Sequence, residues 1–309
     1  MYLYAIDLGG TAVKHAVVNW PDPHCPEHSY QLLEKSSFPT PYNDADHLIT
    51  LLNSKIQQAL REYPITGVAV STPGGVSNHR RGIIHRGGKL RYLDQVPFGE
   101  RLSAASHLPC SVENDGRCGL LGEYTAGALK GCRVGAAIVL GTSVGGGILI
   151  NGSILTGAHD FAGKFAHILT TQNPSGARYN CFGEDNGNAF LCRLVAKHKQ
   201  LSGIETLNGH IIFDLVEKND REACAALREF CRTLAFQITN LQIILDPEII
   251  VIAGGISSRA VLLDYITQQL ELIYQSDPFP RPRSEIRLAA LGNDANLVGA
   301  CCTWNKLYF

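Results

Sequence analysis

The sequence predicts an α/β protein built as two similar lobes. A strand, a Gly/Thr-rich turn and a second strand occur over residues 2–19 and again over 134–150. Apolar runs of strand length are interspersed with amphipathic runs of helix length, as layered α/β domains require. A chain of 309 residues with 45% hydrophobic content is also longer than one typical domain and rich enough for two cores.

The elements follow in order. A first strand at Tyr2 to Ile6 runs into Asp7-Leu8-Gly9-Gly10-Thr11, and a second follows at Val13 to Asn19. Pro21, Pro23 and Pro26 mark Trp20 to His28 as a loop, and a third strand lies near Leu32 to Phe38. From Asn43 to Arg61 the residues Leu48, Leu52, Ile56 and Leu60 form the stripe of an amphipathic helix. Gly67 to Ser71 is a short apolar strand closed by Thr72-Pro73-Gly74-Gly75. A strand at Cys110 to Val112 gives way to Glu113-Asn114-Asp115-Gly116 and a helix to about Ala128, with Asp115 as N-cap. The pattern restarts at Val134 to Leu140, then Gly141-Thr142-Ser143-Val144-Gly145-Gly146-Gly147, a strand to Ile150 and a turn at Asn151-Gly152. A long helix over Asp220 to Leu245 carries Leu227, Phe230, Leu234, Ile238 and Leu241 on one face. Ile249 to Ile252 is an apolar strand ending in Ala253-Gly254-Gly255, and a last helix starts near Asn293.

Composition excludes several classes. Lys and Arg number 27 against 28 Asp and Glu, so no basic excess exists to coat a nucleic acid. No apolar run reaches membrane-spanning length, and Met1 to Asp7 lacks a signal-peptide pattern. Ten scattered cysteines with no CxxC pair fit a reducing cytoplasm rather than a disulfide framework. Cys224, Cys231 and the vicinal Cys301-Cys302 read as packing residues of helices.

The Gly/Thr turns carry the chemistry. Such turns present backbone N–H groups and Thr hydroxyls that can hold a polyphosphate from two sides of a shared cleft. Neither a GxxxxGK[ST] loop nor a GxGxxG after the first strand is present. One glycine-rich hairpin often serves only a tight turn; two at matched places, one preceded by Asp7, form a pattern.

Asp7-Leu8-Gly9-Gly10-Thr11, Ser71-Thr72-Pro73-Gly74, Glu113-Asn114-Asp115, Gly141 to Gly147, Ala162-Gly163…His167, Ala253-Gly254-Gly255 and Asp294 to Ala300 together resemble the ROK family of sugar kinases and repressors. Gly87-Gly88-Lys89-Leu90-Arg91-Tyr92-Leu93-Asp94 and the 170s region look most like its β-glucoside kinase branch. The resemblance implies two RNase-H-like lobes of the actin-like ATPase and sugar kinase type around a nucleotide cleft. These would be residues 1–117 with 293–309, and residues 118–292. It implies ATP and Mg²⁺, a sugar substrate and a homodimer; the balanced charge and the lack of a spanning apolar run add the expectation of no nucleic acid or membrane partner. Asp115 would be the general base, its N-cap role being compatible with that. Asn114, Gly74, Gly75, Lys164 and His167 would meet the sugar. Asp7 would sit near Mg²⁺, through water. Gly9, Gly10 and Thr11 would face the phosphates from one side and Gly141, Thr142, Ser143 and Gly145 from the other, with Gly254 and Gly255 beside the adenosine. Where family members often carry Lys after the first Thr, this chain has Ala12; Lys14 reads either as a substitute phosphate contact or as a solvated strand lysine.

Two departures qualify the likeness. Most ROK kinases carry a CxCGxxGC zinc motif, and Asn180 to Asn188 keeps only Cys181, so no structural zinc is expected. The family's AGExGH reads Ala162-Gly163-Lys164-Phe165-Ala166-His167 here, a donor where an acceptor is usual. The alternatives are an active kinase with an unusual sugar, such as a β-glucoside, with Lys164 either contacting it or turned to solvent, or a binding protein with little turnover. A regulator is disfavoured, because no helix-turn-helix segment precedes Asp7.

Overall fold

Residues Tyr4, Ile6 and Leu8 alternate with Leu3 and Ala5 along the first strand, and all five are buried, so this strand is covered on both faces. That double burial organises a chain which, in a computed structural model, is described over residues 1–20, 30–41, 44–172, 179–256, 259–276 and 282–309. Pro21, Pro23, Pro26, Cys25, the expected helix start at Asn43 and residues 173–178 lie outside the described residues.

The elements run β1 (Tyr2–Leu8), β2 (Ala12–Asn19), β3 (Gln31–Pro39), α1 (Ala45–Ala59), β4 (Ile65–Thr72), β5 (Gly75–Ser77), β6 (Ile83–His85), α2 (Phe98–Ser106), β7 (Cys110–Asn114) and α3 (Asp115–Ala126). They continue with β8 (Val134–Leu140), β9 (Val144–Ile150), β10 (Ser153–Ile154), β11 (Leu169–Gln172), β12 (Tyr179–Cys181), α4 (Phe182–Asp185), α5 (Asn188–His198), α6 (Gly209–Glu217), α7 (Arg221–Leu245), β13 (Ile249–Ala253), α8 (Ala260–Ser276), β14 (Glu285–Leu288) and α9 (Ala295–Tyr308).

The chain divides into two compact units: residues 1–130 with 157–161 and 294–309, and residues 131–156 with 162–293. In the first, five strands take the order β3-β2-β1-β4-β7, with β2 antiparallel to both β3 and β1, and β4 parallel to both β1 and β7. Helices α1 and α2 join the core under Tyr4, Ile6 and Leu8, with Leu48, Leu52 and Ile56 buried as the stripe requires. Helix α1 is capped by Asp44, whose side chain accepts from the Asp46 and His47 N–H groups. Helices α3 and α9 pack closely because small residues line their crossing: a Cβ on Gly122 would lie 2.2 Å from the Ala295 carbonyl oxygen. With this packing the first unit holds α3 whole and runs to Lys130.

The second unit repeats the design. Its sheet order is β10-β9-β8-β13-β14, with β8 antiparallel to β9 and parallel to β13. Leu227, Phe230, Leu234, Ile238 and Leu241 of α7 are all buried in its core. Cys231 is buried and Cys224 half-buried on the same helix. No helix among the described residues is long and apolar enough to cross a membrane.

Candidate active site

In the first unit the three parallel strands end side by side. The register sets Asp7 of β1 beside Ser71 of β4, and Ser71 beside Glu113 of β7, with Thr72 beside Asn114. The carboxyl ends of parallel strands are where open α/β sheets bind ligands. Asp7 is 6% exposed; its Oδ1 accepts from Ser71 Oγ at 2.8 Å and from Asn296 Nδ2 at 3.0 Å. Lys14, opposite Asp7 in the β1–β2 ladder, brings its Nζ to 3.8 Å from Asp7 Oδ2. That contact ties Lys14 to the acid beside the turn.

The β1–β2 turn is Gly9-Gly10-Thr11. Gly9 donates its N–H to the Ala12 carbonyl at 3.1 Å, and a Cβ on Gly9 would sit 2.5 Å from that oxygen. Thr40 braces the turn from outside, its hydroxyl donating to the Gly9 carbonyl and its N–H to the Thr11 carbonyl. Thr11 itself is exposed.

Asn114 is the N-cap of α3: its backbone is extended and its Oδ1 accepts from the Arg117 N–H at 3.3 Å. The expectation that Asp115 would cap is corrected, since Asp115 is the first helical residue and its Oδ1 accepts from Gly116 N–H at 2.8 Å. Asn114 Nδ2 donates both to Asp115 Oδ1 at 2.9 Å and to the Gly74 carbonyl at 2.6 Å. One amide thus joins Asn114, Asp115 and Gly74. Gly74 has φ +93° and no room for a Cβ beside the His85 carbonyl. Gly75, next to it, opens β5.

Behind Asp115 lies a charge network that sequence reasoning missed. Glu113, buried, accepts from the Asn114 N–H at 2.7 Å and meets His79 Nε2 at 3.0 Å. Burial pushes Glu113 upward, but the His79 hydrogen bond and charge, the Asn114 N–H and the Arg117 charge outweigh it and hold the acid below its ordinary value. The hydrogen bond to Glu113 raises His79. Arg117, 2% exposed, donates through Nη2 to the Asp160 carbonyl at 3.0 Å. The Glu113-Asn114-Asp115 motif was visible in sequence; its partners, far along the chain, were not.

The second unit presents the β8–β9 turn. Gly141 donates its N–H to the Ser143 carbonyl at 2.9 Å, and its own carbonyl accepts from the Asn188 N–H at 2.8 Å. Thr142 and Ser143 are exposed and Gly145 half-buried. Gly254, φ +105°, ends β13 against this turn: a Cβ there would lie 2.1 Å from the Leu140 carbonyl oxygen. Gly255 beside it is exposed, with open space where a Cβ would go. Thr142 and Ser143 line a pocket of about 550 Å³ with Gly183, Gly187, Phe190 and Arg193 among its walls. Lys164 is half-buried and precedes the short 3-10 turn Phe165–His167, in which Phe165 is buried and His167 exposed. The structure therefore groups Asp7, Gly9 to Thr11, Lys14, Gly74, Gly75, Asn114 and Asp115 in one unit. It groups Gly141 to Ser143, Gly145, Gly254 and Gly255 in the other, with Lys164 and His167 following β9 and β10.

Among the described residues no three His, Cys, Asp or Glu side chains gather as a metal-binding group. Asp7 is a single carboxylate held by two donors at Oδ1, and one carboxylate suits Mg²⁺, which keeps several waters and shares phosphate ligands.

Comparison with known proteins places this architecture. The chain is 31% identical to the β-glucoside kinase of Klebsiella pneumoniae over 314 residues, covering 100% of this chain and 97% of that one. It is 29% identical to the glucokinase of Halalkalibacterium halodurans, covering 95% and 92%. A ROK family protein from Streptococcus pneumoniae TIGR4, solved in complex with sucrose, superposes with a TM-score of 0.83 at 27% identity, covering 99% of each chain. The sequence profile of the ROK family matches residues 3–306, and the chain belongs to that family.

Proposed function

We propose that this protein is an ATP-dependent sugar kinase in which Asp115 takes the proton of the sugar hydroxyl that attacks the terminal phosphoryl group. The observation that carries this reading is the Asp115 carboxylate, whose Oδ1 is fixed by Asn114 Nδ2 and Gly116 N–H at the end of a parallel strand. Phosphoryl transfer asks for alignment and charge stabilisation more than for a strong nucleophile. An oriented carboxylate supplies the alignment: with Oδ1 fixed by two donors, it accepts the proton along a set direction.

Asn114 and the Gly74 and Gly75 backbone, joined by the Asn114 amide, are the sugar-binding groups assigned to the first unit; Lys164 and His167 are those assigned to the second. Gly9, Gly10 and Thr11 offer N–H groups and a hydroxyl to phosphates. Gly141, Thr142, Ser143 and Gly145 do the same in the second unit. The pocket beside Thr142 and Ser143, with Gly254 and Gly255 near that turn, suits the adenosine. Asp7 is the residue that would hold Mg²⁺, through water, and the ion would offset phosphate charge. The same reading takes the sugar as a hexose or a β-glucoside, since relatives bear both names. It takes the enzyme as a cytoplasmic homodimer that binds no nucleic acid.

A coupled ADP-release assay across glucose, mannose, fructose, N-acetylated hexosamines, allose and β-linked disaccharides tests the proposal. Turnover with at least one is expected. ATP binding without transfer to any of these sugars would leave a binding protein and sink the kinase reading.

A further inference from the structure

The first phosphate turn has a second basic neighbour besides Lys14. Gly10 lies under the side chain of Lys89: a Cβ on Gly10 would stand 3.1 Å from Lys89 Cδ, 3.4 Å from its Cβ and 3.5 Å from its Cγ. The alkyl stem of Lys89 therefore runs along the turn, and its ammonium is carried two bonds beyond Cδ. The residue is exposed, and its ammonium makes no ion pair among the described residues.

The loop that presents it is held on several sides. Leu90, the next residue, is fully buried and donates its N–H to the Gly87 carbonyl at 3.0 Å. The Arg86 N–H is taken by Asp94 Oδ1 at 2.8 Å, and the Tyr92 hydroxyl donates to the Pro41 carbonyl at 2.6 Å. Lys14, by contrast, faces the Asp7 carboxylate at 3.8 Å, so part of its charge is answered within the protein. A polyphosphate on Gly9-Gly10-Thr11 needs a cation that is not already answered, and a held lysine stem ending in a strongly hydrated ammonium is a suitable one.

We propose that Lys89 is a phosphate-binding residue of the first turn, its ammonium reaching over Gly10 to the terminal phosphates of the nucleotide. This inference rests on the kinase reading for the identity of the ligand. A Cβ at position 10 would press on the Lys89 stem, which would have to give by a few tenths of an ångström.

The test compares wild type, Lys89→Met and Lys89→Arg as full-length proteins. Calorimetric titration with ATP and with AMP is followed by the ADP-release assay with the best sugar. Lys89→Met keeps an apolar stem over Gly10 and deletes only the charge. ATP affinity is expected to fall about 10- to 100-fold with AMP affinity unchanged, as loss of a charge-assisted contact implies. In turnover, kcat falls while the sugar KM holds, and Lys89→Arg recovers most of both losses. Equal weakening of ATP and AMP, a raised sugar KM with unchanged ATP affinity, or no change in either would overturn the assignment. If wild type binds ATP yet phosphorylates no sugar, the kinase reading fails alone, and the ATP-to-AMP comparison still decides Lys89.

Discussion

The two glycine turns share one strand-turn-strand pattern, yet their surroundings differ. The β1–β2 turn is surrounded by charge: Asp7 at its start, Lys14 across the ladder and the Lys89 stem against Gly10. At the β8–β9 turn backbone packing sets the shape, with Asn188 N–H on the Gly141 carbonyl and Gly254 against Leu140. The charged side chains Glu184, Asp185 and Arg193 line the pocket beside Thr142 and Ser143. Matched topology therefore does not imply matched chemistry. The first turn has Asp7, Lys14 and the Lys89 stem directly around it, whereas the second meets its charged neighbours across a pocket.

The largest expected effect tests the charged side. Asp115→Asn keeps an acceptor at Oδ1 for Gly116 N–H and Asn114 but removes the base. In the ADP-release assay kcat should fall about 10³-fold, with ATP affinity and thermal midpoint near wild type. Unchanged turnover would strip the first unit of its reacting role. Next comes the packed side. Gly254→Ala combines φ +105° with a Cβ only 2.1 Å from a backbone oxygen that cannot turn aside. A loss of about 2–4 kcal/mol in denaturant unfolding is expected, with weakened ATP binding, because β13 and β8 must part. A Gly254→Ala protein as stable as wild type would show that packing does not set the second turn.

How much of this was readable in one dimension follows from the distance between partners. The stripes of α1 and α7 repeat every three or four residues, so periodicity exposes them; the Gly/Thr turns announce themselves by composition. Asn114 and Asp115 are both good capping residues, and only the backbone dihedrals decide that Asn114 caps. Between Asn151 and Asp185 the described residues offer little period to read, because α4 is a single turn and β11 and β12 are short strands. Further on, α5 and α6 do carry apolar stripes, at Leu191, Leu194 and Val195 and at Ile212, Phe213 and Val216. Side-chain partnerships were out of reach: His79 and Glu113 are 34 positions apart, Arg117 and Asp160 43, and Asn296 and Asp7 289.

The His79–Glu113 contact offers a smaller, pH-dependent effect behind the Asp115 helix. His79 is raised by its hydrogen bond to Glu113, so its contribution to stability is complete below its ordinary 6.5 and fades as pH rises through the higher folded value. Glu113 is held below its ordinary 4.5 despite burial, so its contribution is present above 4.5 and fades as pH falls through the lower folded value. The windows overlap between 4.5 and 6.5. Within them His79→Gln should cost about 1–2 kcal/mol in unfolding free energy, shrinking toward alkaline pH. A cost independent of pH would reduce the contact to simple packing.

The smallest expected effect on stability is at Gly255, and its smallness is what makes it useful. Gly254 and Gly255 are adjacent and end the same strand, but a Cβ on Gly255 meets nothing within 4 Å. Gly255→Ala should therefore change unfolding free energy by no more than about 0.5 kcal/mol, as surface substitutions do. Among the described residues packing gives no reason for a glycine there, so an approaching ligand is the reason to test. If adenosine comes close to this backbone, Gly255→Ala weakens ATP binding at wild-type stability, the reverse of a purely structural glycine. Unchanged affinity would leave Gly254 as the glycine of this pair that matters.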